Sequence, residues 1–137
     1  MKKIIAGVWI FWLLAGVASA GEEPVVVSQV LAKTTVSWNE AKLPAYPDGT
    51  PEITILRIEI PAGAVLPRHK HPVINAGVLL QGELTVVTDD GKRLHLKAGE
   101  AIVEVVDIWH YGMNEGSEPA VIIVFYAGAV DMPITVQ

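Results

Sequence analysis

From Val25 onward the chain is a succession of short runs rich in Val, Ile and Thr, cut by Gly, Pro and Asp. The runs are Val25–Val30, Thr34–Trp38, Glu52–Ile60, Val65–Lys70, Ile74–Gln81, Leu84–Thr88, Arg93–Lys97, Ala101–Val106, Tyr111–Met113, Val121–Tyr126 and Ile134–Val136. Several alternate apolar and polar residues, the period of a strand with one buried face. No window of ten or more residues in this region carries the helical period. Many short strands at even spacing predict an all-β sandwich or barrel. Asp89-Asp90-Gly91 lies between two alternating runs and predicts a tight hairpin, because Asp and Gly accept the positive φ such turns need. Leu43 to Pro51 holds three prolines, one Asp and one Gly. It predicts a loop, placed to serve as a flap over a barrel mouth.

The first twenty residues belong to a different category. Lys2-Lys3 is a short basic start, Ile4 to Val17 is uncharged and apolar, and Ala18-Ser19-Ala20 fits the small-x-small pattern that signal peptidase reads. The apolar run would make a helix of about 21 Å, short of the ~30 Å hydrocarbon core of a bilayer. Residues 1–20 are therefore expected to be a cleaved signal peptide and residues 21–137 a single domain, periplasmic or secreted. Without Lys2 and Lys3 the chain keeps 8 basic residues against 15 acidic ones. That balance argues against nucleic acid and against anionic membrane surfaces as partners. There is no cysteine, so neither disulfides nor thiolate metal sites are available, and stability rests on a buried core.

Chemistry concentrates on histidine. His69 and His71 are separated by one residue, so on an extended chain they share a face, roughly 7 Å apart along the backbone. Imidazoles at that spacing can converge on one ion. The flanking residues sharpen the reading. Gly63, His69, His71 and Gly82 fall in the register G-x5-H-x-H-x3-E-x6-G, with Asn75 where that pattern has Glu. Gly99, His110 and Asn114 fall in the register G-x5-P-x-G-x2-H-x3-N, with Val105 and Asp107 in place of Pro and Gly. These two blocks resemble the paired motifs of the cupin family, over Gly63 to Asn114. The resemblance implies a double-stranded β-helix, or jelly-roll barrel, with the first motif on adjacent strands and the second on a facing pair. It further implies that His69, His71 and His110 converge inside the barrel on a divalent transition metal (Fe, Zn, Cu, Ni or Mn). Family members that have lost the metal exist, so three purely structural histidines are the alternative. The fourth histidine, His95, alternates with Leu94 and Leu96 and is expected on the outer surface.

Asn75 leaves the site without its usual carboxylate. It can offer a carbonyl oxygen to the ion or a hydrogen bond to a bound water. Glu104, in the apolar run Ala101 to Val106, is the candidate replacement, as a fourth ligand or a general base. The competing reading is an ion pair at the barrel edge with Arg57 or Arg68. Trp109, Tyr111 and Tyr126 are candidates for the pocket wall or the core.

Two function classes follow from the resemblance. One is a metal-dependent enzyme, of the oxygenase or isomerase type, acting on a small polar organic molecule. The other is a non-catalytic periplasmic module that binds or senses a metal or small ligand. An acid pointing into the pocket favours the first. Sugar epimerase chemistry would need an extra inward His, and nucleophilic catalysis is unsupported because Ser28, Ser37 and Ser117 lie in no nucleophile-elbow context. Family habit makes a homodimer the expected assembly.

Overall fold

The computed structural model describes residues 23–137; the expected signal segment lies outside them. Seven strands are formed among the described residues: β1 (Pro51–Ile60), β2 (Ile74–Gln81), β3 (Glu83–Thr88), β4 (Arg93–Lys97), β5 (Ala101–Val103), β6 (His110–Met113) and β7 (Ala120–Ala129). They make two antiparallel sheets, one in the order β1-β7-β2-β5 and one in the order β4-β3-β6. The all-β architecture expected from the alternating runs is what forms. No helix among the described residues is long and apolar enough to cross a membrane.

Strand period sorts the side chains. Leu56, Ile58 and Ile60 of β1 and Ile122, Val124 and Tyr126 of β7 face the other sheet, while Arg57 and Glu59 face outward and pair at 3.2 Å. Leu79 and Ile102 join them from β2 and β5, and Leu84, Val86 and Leu96 close the core from the second sheet. The Asp-Asp-Gly hairpin forms between β3 and β4. Gly91 N–H donates to Thr88 O at 2.8 Å, Gly91 has φ +83°, and the Asp90 carboxylate accepts from the Thr88 hydroxyl.

Four expected strands do not form. Val25–Val30 is exposed and makes no strand pairing among the described residues. Its β-branched composition records a preference for packed, pleated surroundings, and here no neighbouring strand supplies them. Thr34–Trp38, Val65–Lys70 and Ile134–Val136 contribute only single bridges, at Val36↔Lys42, Val65↔Met113, His69↔His110 and Lys70↔Val136. Pro67, which has no N–H to donate, lies inside the second of these. The run expected over Ala101–Val106 stops as a strand at Val103. The segment from Leu43 to Thr50 is a loop as expected, but it contributes no residue to the wall of the central cavity.

Two positions of the paired motifs show why their residue types matter. Gly82 has φ +72°, and a Cβ there would lie 2.7 Å from Pro119 O. Asp107, in the place of a motif glycine, keeps the left-handed conformation at φ +54°, which Asp tolerates better than most residues.

Candidate metal centre

The segment after the Gly63 turn runs antiparallel to β6. Leu66 N–H donates to Gly112 O at 2.8 Å, and His69 and His110 exchange both backbone hydrogen bonds at 2.9 Å. This ladder sets His69 directly across from His110. His71, two residues on, falls on the same side. The resemblance had placed the second motif on a strand pair facing the first. Instead each motif contributes one strand to each pairing: β5 lies beside β2, and β6 lies beside the segment carrying His69 and His71.

The three imidazoles meet. Their ring centroids are 4.4 to 5.1 Å apart, and one ring nitrogen from each lies within 4.8 Å of the others. Each Nδ1 faces a backbone carbonyl: His69 to Pro67 O at 2.7 Å, His71 to Ile134 O at 2.8 Å and His110 to Ile108 O at 2.9 Å. A carbonyl only accepts, so each Nδ1 carries a proton, and Nε2 is the ring atom left to serve as a metal ligand. Burial lowers the pKa of His69, and it lowers that of His71 to about 4, so both rings are neutral near pH 7. One ring nitrogen from each histidine is close enough to the other two for all three to bind a single cation. The donor set therefore fits a transition metal held by His69, His71 and His110.

Glu104 faces the same space. It is 7% exposed, and its Oε2 lies 3.8 Å from His110 Nε2. Its Oε1 accepts from Trp38 Nε1–H and from Val105 N–H, both at 2.8 Å. The alternative pairing with arginine does not form. Arg57 pairs with Glu59, and Arg68 pairs with Asp89 while lying 4.1 Å above the Trp109 ring. Asn75, 2% exposed, lines the cavity, and its Nδ2–H donates to Val73 O at 3.3 Å. Asn75 and Glu104 are neighbours across the sheet, since Glu104 N–H donates to Asn75 O at 3.0 Å. The carboxylate missing from one strand reappears on the residue bonded beside it.

Tyr126 also lines the cavity, edge-on to His71 at 5.4 Å. Burial, and then the nearby Glu104 charge, push its phenol up to about 12, so it stays protonated. Trp109 lies outside the cavity wall, under Arg68, and Tyr111 does not reach the wall either. His95 is exposed on β4, 3.0 Å from Thr85 Oγ1 and 3.2 Å from a Glu83 carboxylate oxygen, and takes no part in the cluster. Sequence reasoning missed Trp38, which appears there only as the end of a run. A half-buried indole N–H demands an acceptor, but only the fold reveals that the acceptor is Glu104.

The family model described as the Cupin domain matches residues 56–126, just over half of the chain. The protein is a cupin. No curated protein matches the sequence. Among solved structures, it superposes on the DMSP lyase DddQ from Ruegeria pomeroyi at a TM-score of 0.55 with 20% identity, covering 62% of this chain and 42% of that one. An oxalate oxidase in complex with the substrate analogue glycolate gives 0.52 with 25% identity, covering 61% and 45%. A double-stranded β-helix protein from Klebsiella pneumoniae gives 0.54 with 20% identity, covering 69% and 79%. The match spans less than half the length of the two enzymes, and at 20% identity the likeness establishes the fold alone.

Proposed function

We propose that this cupin is a metal-dependent enzyme acting on a small organic molecule. His69, His71 and His110 would hold one divalent transition ion, Fe, Zn, Cu, Ni or Mn, and Glu104 would stand beside it as a fourth ligand or a general base. The observation that carries this reading is the Glu104 carboxylate. A buried acid is costly unless it is paired or bound to a cation, yet this one is held by two N–H donors on Oε1 with Oε2 turned toward His110. An oxalate oxidase of similar fold at 25% identity is in keeping with an enzyme. A bound ion would supply Lewis-acid or redox chemistry and a bound water of lowered pKa.

The protein's own groups do the rest. The backbone carbonyls of Pro67, Ile108 and Ile134 fix the ring orientations. Trp38 and Val105 keep the Glu104 side chain from turning away. In Asn75 the amide nitrogen is engaged by Val73 O, so any contact with a bound ion falls to Oδ1. Tyr126 offers a protonated hydroxyl at the wall. We further take the chain to be exported and to act as a homodimer, which signal processing in the intact cell and light scattering after size exclusion would check.

Elemental analysis of the untagged protein tests the central claim. Near-stoichiometric transition metal is expected, lost in His110→Ala and His69→Ala and retained in His95→Ala. A protein that carries no metal and takes up none on reconstitution would overturn it.

A further inference from the structure

The cavity is graded from polar to apolar, and the sheet registers show how. In the first sheet Tyr126 and Asn75 are cross-strand partners, with Glu104 bonded to Asn75 beyond them. One inward step along the strands lies the row Leu56–Val124–Gly77–Ile102, and one step further the row Ile58–Ile122–Leu79. The second sheet keeps the same order. His110 pairs with Thr88, then Gly112 with Val86, with Leu84 beyond. Every donor group is therefore at one end, and the wall beyond it is aliphatic.

That aliphatic end is not simply filled core. The cavity as a whole, its polar end included, holds about 210 Å³ and opens to solvent. Gly112 helps to leave this room. A Cβ on it would sit 3.2 Å from Leu66 Cδ1 and 3.5 Å from Leu84 Cδ1. Charge is equally one-sided, because no Lys or Arg among the described residues lines the cavity. Lys70 and Arg68 are turned to Asp107 and Asp89 outside it.

We propose that the cavity binds an aliphatic monocarboxylate, or a molecule of that shape with one singly charged oxygen-donor head. The apolar tail has about five carbons, scaled from the ~150 Å³ cavity that takes benzene. This rests on the metal reading above, because the ion is what meets the head group. A dication with three neutral imidazoles and one carboxylate keeps a single positive charge, which one anionic head neutralises. A second carboxylate on the ligand would be buried with no partner. The tail would lie along Leu56, Ile58, Ile122, Val124 and Val86.

The test uses purified protein loaded with Co²⁺, whose visible absorption responds to a change of ligands. Acetate, butyrate, hexanoate, octanoate and malonate are titrated, with affinities from calorimetry. Binding should tighten by up to about fourfold per methylene through hexanoate and level off by octanoate. Malonate should bind more weakly than butyrate. Ile58→Ala should move the plateau to longer chains. A flat series, malonate binding tighter than butyrate, or a plateau unmoved in Ile58→Ala overturns the ligand class while the metal site stands. Failure to take up Co²⁺ instead overturns the metal reading, and the anchoring of the head group with it.

Discussion

Glu104 is held by a residue far away in sequence. The indole of Trp38 and the backbone of Val105 share its Oε1, and the Ser37 hydroxyl donates to its backbone carbonyl at 3.0 Å. Trp38→Phe keeps most of the packing and removes the donor. If the indole acts on the site through the carboxylate, Trp38→Phe should weaken metal binding in the wild-type background but not beside Glu104→Gln. A double-mutant cycle by calorimetry should give a coupling on the order of 1 kcal/mol; additive losses would mean that Trp38 serves packing alone. Backbone geometry makes a second demand at this scale. Gly82→Ala combines a positive φ with a Cβ at 2.7 Å from Pro119 O. It should cost at least about 1 kcal/mol in urea denaturation. The need for glycine at position 82 was legible in the motif spacing. The need for an aromatic donor at position 38 was not, because nothing local to Trp38 points at residue 104.

At the scale of elements, the sheet centres follow from the alternating pattern and the flanks do not. β2 and β4 form over the runs expected of them, and β1, β3 and β6 differ by one residue at one end. β2 and β3 have a partner strand on each side, and β1, β4 and β6 each pair with one strand, so composition and context agree. Val25–Val30 has the same composition without partners, and the His69–His71 segment is pinned by single bridges around Pro67. β2 sits between β7 and β5 and carries Leu79, which is fully buried between the sheets. Leu79→Ala should cost about 2–5 kcal/mol, read as a lowered urea midpoint with the slope unchanged. A much smaller loss would mean that the neighbouring side chains collapse into the gap.

For the whole molecule, the acid limb of the stability curve is set in part by exposed carboxylates tied to local partners. Hydrogen bonding to Arg68 lowers the pKa of Asp89, and hydrogen bonding to Thr88 lowers that of Asp90. A depressed carboxyl pKa means that the unfolded chain binds the proton first. The contribution is complete above the ordinary value of 3.8 and disappears as pH falls through the folded value. Asp89→Asn should therefore flatten the stability curve below about pH 4 and leave its slope near pH 7 unchanged. Thermal melts across that range check it.

Local pattern along the chain sufficed for the strand-built fold and the tight turn at Asp89-Asp90-Gly91, and the paired motifs pointed to the three histidines that come together. Strand period and turn chemistry are local to a few residues, whereas the meeting of His110 with His69 and His71 was implied by the resemblance to the paired cupin motifs. The tertiary structure decided which carboxylate faces those histidines, which indole holds it and how the cavity changes from polar to aliphatic. Those depend on strand register between segments dozens of residues apart. Register is fixed only when whole faces are buried together.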